Sequence, residues 1–154
     1  MLSGVDLDQL ASVYARVHNG VADGATNGFK ALVCGGRDYF ERERVFAVLD
    51  GLHGERAIAL IIHGAAKGAD SLAGEWADSR GVEQTGDRYK ITALDWQTLG
   101  PKAGPLRNQQ MLDECKPDLV VVFPGGKGTA NMLRLAKSAG LRTLIAASIA
   151  AESC

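Results

Sequence analysis

The chain has 154 residues, 46% hydrophobic and 23% charged, with a formal net charge of -1. This length and apolar content suit one domain with one core, and the charge balance excludes a disordered tail, a polybasic membrane binder or a protein that coats nucleic acid by bulk charge. Three cysteines, Cys34, Cys115 and Cys154, show no CxxC spacing, which argues against a disulfide framework or a zinc site and fits a reducing cytoplasm.

The opening MLSGVDLDQL lacks the basic region and apolar core of a secretory signal. In the following stretch Leu7, Leu10, Ala11, Tyr14 and Val17 recur at helical spacing, with Asp6 and Asp8 at the start, which predicts an amphipathic helix. It is expected to pack outside the domain or against a neighbouring subunit. NGVADGATNG, ending at Gly28, breaks every pattern and reads as a connector, so residues 1–28 are set apart from a domain at 29–154. FKALVC (29–34) is a strand ended by Gly35-Gly36, and Val45, Phe46, Val48, Leu49 and Leu52 then share a helical face. AIALIIH (57–63) is the second strand, ended by Gly64. The second helix carries Leu72, Ala73, Trp76 and Ala77 and stops near Gly81. VEQTGDRYKI (82–91) suits a strand near a sheet edge. A third helix follows Gly104 through Met111, Leu112 and Cys115 and stops before Pro117. DLVVVF (118–123) is a strand covered on both faces. A helix through Leu133 and Ala136 ends at Gly140, and LRTLIAA (141–147) is the last strand. No apolar run approaches the roughly 18 residues of a membrane span.

The alternation predicts an α/β, Rossmann-like three-layer sandwich with a mostly parallel sheet. In such sheets ligands bind beyond the carboxyl ends of the strands, where strand order reverses. Three glycine turns fall at that edge: Gly35-Gly36-Arg37-Asp38, HGAAKGAD (63–70) with Gly64, Lys67, Gly68 and Asp70, and PGGKGT (124–129) with Gly125, Gly126, Lys127, Gly128 and Thr129. They account for much of a glycine content of 19 residues, high against an ordinary level of about 7%. Such a turn leading into a helix offers free N–H groups and a positive dipole end to an anion. Each turn carries a cation, and GPKAGPLRNQQM (100–111) adds Lys102 and Arg107. Three converging helix N-termini are therefore expected to bind phosphate. No G-x-x-x-x-G-K-[ST] or G-x-G-x-x-G motif is present, which disfavours a P-loop NTPase and an ordinary dehydrogenase.

Other residues carry two readings each. Asp38, Asp70 and Asp95 are candidate acid/base groups or ribose contacts; alternatively Asp38 closes its turn, Asp70 supports the second helix and Asp95 fixes the turn before Trp96. Trp96 either stacks a base or covers the core, and Asn108 is a base or ribose contact or helix surface. Thr129 is expected to cap the helix after PGGKG while donating to an anion. His63 reads as a buried hydrogen-bonding group, Trp76 as packing and Cys34 as a small apolar residue. No metal site and no cofactor are expected.

The motifs CGGRDY (34–39), HGAAKGADSLAGEWA (63–77), DW (95–96) with GPKAGPLRNQQML (100–112), and FPGGKGTANM (123–132), in that order over roughly residues 29–147, resemble the YspA branch of the cpYpsA-related SLOG proteins. The wider group includes the LOG phosphoribohydrolases and the DNA-uptake protein DprA. The resemblance implies a Rossmann-like fold, binding of a nucleotide or nucleotide-derived small molecule at the PGGKGT loop, and a homodimer or higher homo-oligomer. LOG enzymes carry PGGxGTxxE, whose glutamate works beside an arginine; here Met132 stands at that position, while Arg107 could take the arginine's part.

The expected function is thus a cytoplasmic sensor or regulatory module that binds a nucleotide-derived ligand. One alternative is a hydrolase that cleaves the N-glycosidic bond of nucleoside monophosphates with Arg107, Asp95 and Asp38. Another is single-stranded DNA binding, disfavoured by the overall charge although residues 100–142 hold seven Lys or Arg against three Asp or Glu.

Overall fold

A computed structural model describes residues 28–146. The amphipathic helix and connector expected before Gly28, Cys154, and Ala147 at the end of the last strand lie outside the described residues. The elements are β1 (Phe29–Cys34), α1 (Arg42–Glu55), β2 (Ile58–Ile62), α2 (Ala69–Arg80), β3 (Glu83–Gln84), α3 (Ala93–Leu99), α4 (Ala103–Cys115), β4 (Leu119–Val122), α5 (Lys127–Ser138) and β5 (Thr143–Ile145). All strand pairs are parallel, in the order β3-β2-β1-β4-β5. Leu32 of β1 sits opposite Ile62 of β2 and Val120 of β4.

The alternation of side chains along the strands builds two cores. Ala31 and Val33 of β1 and Leu119 and Val121 of β4 face α1 and α2, where they meet Val45, Val48, Leu49, Leu72, Trp76 and Ala77. Leu32, Cys34, Val120 and Val122 face the other way onto Met111, Leu112 and Cys115 of α4 and Met132 and Ala136 of α5. Burial on both faces is why β1 and β4 are apolar at nearly every position. Trp76 is fully buried, and its indole N–H is satisfied by Asp50 Oδ1 at 2.9 Å. The chain runs outward from β1 to β3 with helices on one face, then crosses to β4 and outward to β5 with helices on the other. The architecture is α/β and Rossmann-like, and order reverses between β1 and β4.

The segment 82–102 differs from its sequence reading. β3 holds two residues, because Gly86 at φ +57° turns the chain into a 3-10 helix (Gly86–Tyr89) that buries Tyr89 against the second core. α3 is an added helix, started by a capping box: Thr92 Oγ1 accepts the Asp95 N–H at 3.1 Å and Asp95 Oδ2 accepts the Thr92 N–H at 2.8 Å. Among the described residues no helix is long and apolar enough to cross a membrane.

Candidate functional site

A cleft of about 580 Å³ opens at the carboxyl ends of β1 and β4, the point where strand order reverses. Its floor is the three glycine turns, and these are tied to one another. The Gly36 N–H donates to Pro124 O at 2.8 Å, and Gly36 O accepts the N–H groups of Ala69 and Tyr39, both at 3.2 Å. Several glycines serve this contact rather than a ligand. Gly68 holds φ +79°, and a Cβ there would overlap Gly36 O and lie 2.7 Å from Arg37 O. At Gly125 a Cβ would overlap Thr129 Oγ1 and lie 2.7 Å from the Gly36 amide nitrogen. Gly35 abuts Ala69 and Phe123, and Gly64 lies beneath the Arg107 guanidinium. A Cβ at Gly126 or Gly128 would instead meet open space, and both residues line the cleft.

Of the three expected anion sites one is open. α1 begins at Arg42, beyond Phe40 and Glu41, so its N-terminus does not abut the first turn. In the second turn Asp70 Oδ2 accepts the N–H groups of Gly64 at 2.9 Å and Ala66 at 3.3 Å, so the protein's own carboxylate fills the place of an anion. This turn is held in an uncommon shape: Ala65 sits at φ +60°, and its N–H donates to His63 Nδ1 at 2.9 Å. His63 is therefore protonated on Nε2, which donates to Gln84 Oε1 at 2.6 Å, and it acts as the buried hydrogen-bonding group its position suggested. The third turn differs. Gly126 is the N-cap of α5 without a side-chain cap, so Thr129, three residues on, does not cap the helix as expected. The first intrahelical bond runs from Ala130 N–H to Gly126 O at 3.0 Å, leaving the amides of Lys127, Gly128 and Thr129 without an intrahelical acceptor.

Two residues of α4 frame this open helix end. Asn108 is buried and donates to Gly128 O at 3.2 Å and Asn131 Oδ1 at 3.0 Å, pinning α4 to α5. Arg107 donates from Nε to Asn108 Oδ1 at 3.0 Å and from Nη1 to Gly64 O at 2.9 Å. Burial works against the Arg107 charge, Asp70 works for it, and Arg37 again works against it. Two like charges facing one cleft are relieved by an anion between them. Burial pushes the Cys34 thiol up to about 12, so it stays protonated and inert, as read from the sequence.

Asp70 sets a pH dependence. Its carboxyl is held above the usual carboxylate range, chiefly by burial, with the Ala66 and Gly64 amides and Arg107 pulling it partly back. The folded protein therefore holds this proton more tightly than the unfolded chain. Stability from this group is full below the ordinary carboxylate pKa and is lost as pH rises through the raised value. Asp70→Asn keeps an oxygen for both amides and should remove that loss in urea unfolding followed across pH. Asp70→Ala orphans one buried and one partly buried donor and should cost about 2 kcal/mol at neutral pH.

A family model described as YspA, cpYpsA-related SLOG family matches residues 29–98. The chain is also 34% identical over 115 residues to the Gene 61 protein of Mycobacterium phage D29, covering 73% of this chain and 91% of that protein. The chain belongs to the YspA, cpYpsA-related SLOG family. Membership carries, in general, the binding or processing of nucleotide-related ligands. No solved structure matches the chain.

In this SLOG domain the cleft gathers most residues singled out from the sequence: Gly35, Gly36, Arg37, Asp38, Asp70, Arg107, Asn108, Gly126, Gly128 and Thr129 all line it. Gly64, Gly68 and Gly125 support it from below. Lys67 and Lys127 are exposed on their turns and do not line it. Trp96 stands beside it with the Arg37 guanidinium 5.8 Å from its ring centroid. Asp95 is committed to its capping box and faces a neighbouring cavity. Phe40, 65% exposed at the cleft wall, was missed; a large apolar residue just past a glycine turn and outside any helical face was its signal. Met132 is fully buried among Leu32, Cys34 and Ile62, so the position of the LOG glutamate is core here. Among the described residues no cluster of His, Cys, Asp or Glu could hold a metal ion.

Proposed function

We propose that this protein binds a nucleotide or nucleotide-derived ligand by its phosphate and acts as a sensor or regulatory module. The observation that carries this reading is the open α5 N-terminus facing the same cleft as Arg37 and Arg107, at the strand-order reversal. Backbone N–H groups and a helix dipole favour an anion there, and an arginine fork adds charged hydrogen bonds. Phe40, exposed at the cleft wall, supplies apolar surface for a base.

Thermal unfolding with a panel of nucleoside mono-, di-, cyclic and sugar-linked phosphates tests the reading. A ligand at 100 times its Kd should add about 2.7 kcal/mol, which raises the melting temperature by about 8 °C in a chain of this size. Gly128→Asp has room for its side chain and sets a carboxylate in the helix's first turn, so the fold should survive while the ligand-induced shift disappears. Millimolar nucleotide without any shift overturns the proposal. Release of free base, lost in Asp38→Ala, would move the reading to the hydrolase, since Asp38 is the exposed carboxylate that lines the cleft.

A further inference from the structure

A second cavity of about 230 Å³ lies on the other side of the Arg107 side chain, between α4 and the segment 88–99. Arg88, Lys90, Asp95, Leu106 and Gln110 line it together with Arg107, which also lines the main cleft. The charges do not cancel: three cations face one carboxylate, and Asp95 already accepts the Thr92 N–H at 2.8 Å. Arg88 is held loosely, its guanidinium over the Tyr89 ring at 5.3 Å from the centroid, with no close ion pair among the described residues. Its Nη2 stands 3.8 Å from Glu114 Oε1, a carboxylate already served by the Tyr89 hydroxyl at 2.8 Å and Gln110 at 3.0 Å. Arg107 itself has donors to spare. A guanidinium carries five N–H groups, and among the described residues its side chain donates from Nε and Nη1 only. At about 30 Å³ per water, the cavity has the volume of roughly eight waters, room for a phosphoryl group and part of a sugar.

We infer that this second cavity is an anion subsite joined to the main cleft by Arg107, and that the ligand is a diphosphate-linked nucleotide conjugate. The first phosphate rests on the amides of α5, the second lies against Arg107, and the group beyond it faces Arg88 and Lys90. This assignment rests on the phosphate-binding reading of the main cleft and deepens it.

Calorimetric titration of the intact protein with one purine and one pyrimidine series, each comprising a 5′-monophosphate, a 5′-diphosphate and a diphosphate-ribose, tests the inference. The diphosphate-ribose should bind about tenfold or more tighter than its monophosphate. Arg88→Gln with Lys90→Gln, both exposed positions, should bring the diphosphate-ribose down to the monophosphate level and leave monophosphate affinity within about twofold. Equal affinity across each wild-type series, or equal weakening of monophosphate and conjugate in the double variant, overturns the second subsite while the main cleft stands. If no member of either series binds, both readings fall.

Discussion

Gly68→Val is expected to lower the melting temperature by about 12 °C and to abolish the nucleotide-induced stabilisation proposed above. Two costs combine at this position. Positive φ is unfavourable for a β-branched residue by about 1–2 kcal/mol. The new Cβ also meets the Gly36 and Arg37 carbonyls, which are backbone and cannot rotate away. A total near 4 kcal/mol corresponds to that shift in a chain of this length. Gly81→Ala is a milder reference: Gly81 also holds a positive φ, +69°, but at ψ 27° it lies in the left-handed helical region that alanine can enter, with no neighbour within 4 Å of its Cβ, whereas Gly68 at ψ -128° lies outside that region. It should lose about 1 kcal/mol and keep ligand binding. A Gly68→Val protein that melts no lower than Gly81→Ala would show that the first and second turns are not held together by this contact.

Met132→Glu is expected to destabilise the protein by about 4 kcal/mol at neutral pH without creating glycosidase activity. The side chain at 132 points into the core shared by β1, β4 and α4, so a carboxylate there gains no partner and lies outside the cleft. Burial would raise its pKa, so the folded variant would bind a proton more tightly than the unfolded one. The loss should therefore shrink as pH falls toward the ordinary glutamate range, a trend that chemical denaturation at several pH values resolves. Met132→Leu, a swap of similar volume, should cost under about 1.5 kcal/mol. Base release from a nucleoside monophosphate by Met132→Glu would overturn this placement.

The parts of the fold written by periodicity were legible. β4 is an unbroken apolar run because both faces are covered, and α1 and α2 show the spacing of the residues they bury. The segment 82–102 was less so. α3 buries none of its residues, so no apolar periodicity announces it; its readable sign is the Thr92-x-x-Asp95 capping box. The edge that carries the site was legible from glycine placement, but the division of labour among the glycines was not. Gly68 and Gly125 answer to backbone from other turns, contacts that exist once the sheet has formed. The filling of the second turn by Asp70 depends on Ala65 adopting a left-handed conformation, which alanine seldom does.

The peptide group of Gly36 is hydrogen-bonded on both sides, by its N–H to the third turn and by its carbonyl to the entrance of α2. The three turns of the cleft floor are thus tied to one another through backbone. For the ligand proposed above, the α5 amides would already be placed, and little of its binding free energy would go into ordering loops. Recognition by such a surface favours fast capture and discrimination by fit, leaving adjustment to the exposed side chains Phe40 and Trp96 at and beside the cleft wall.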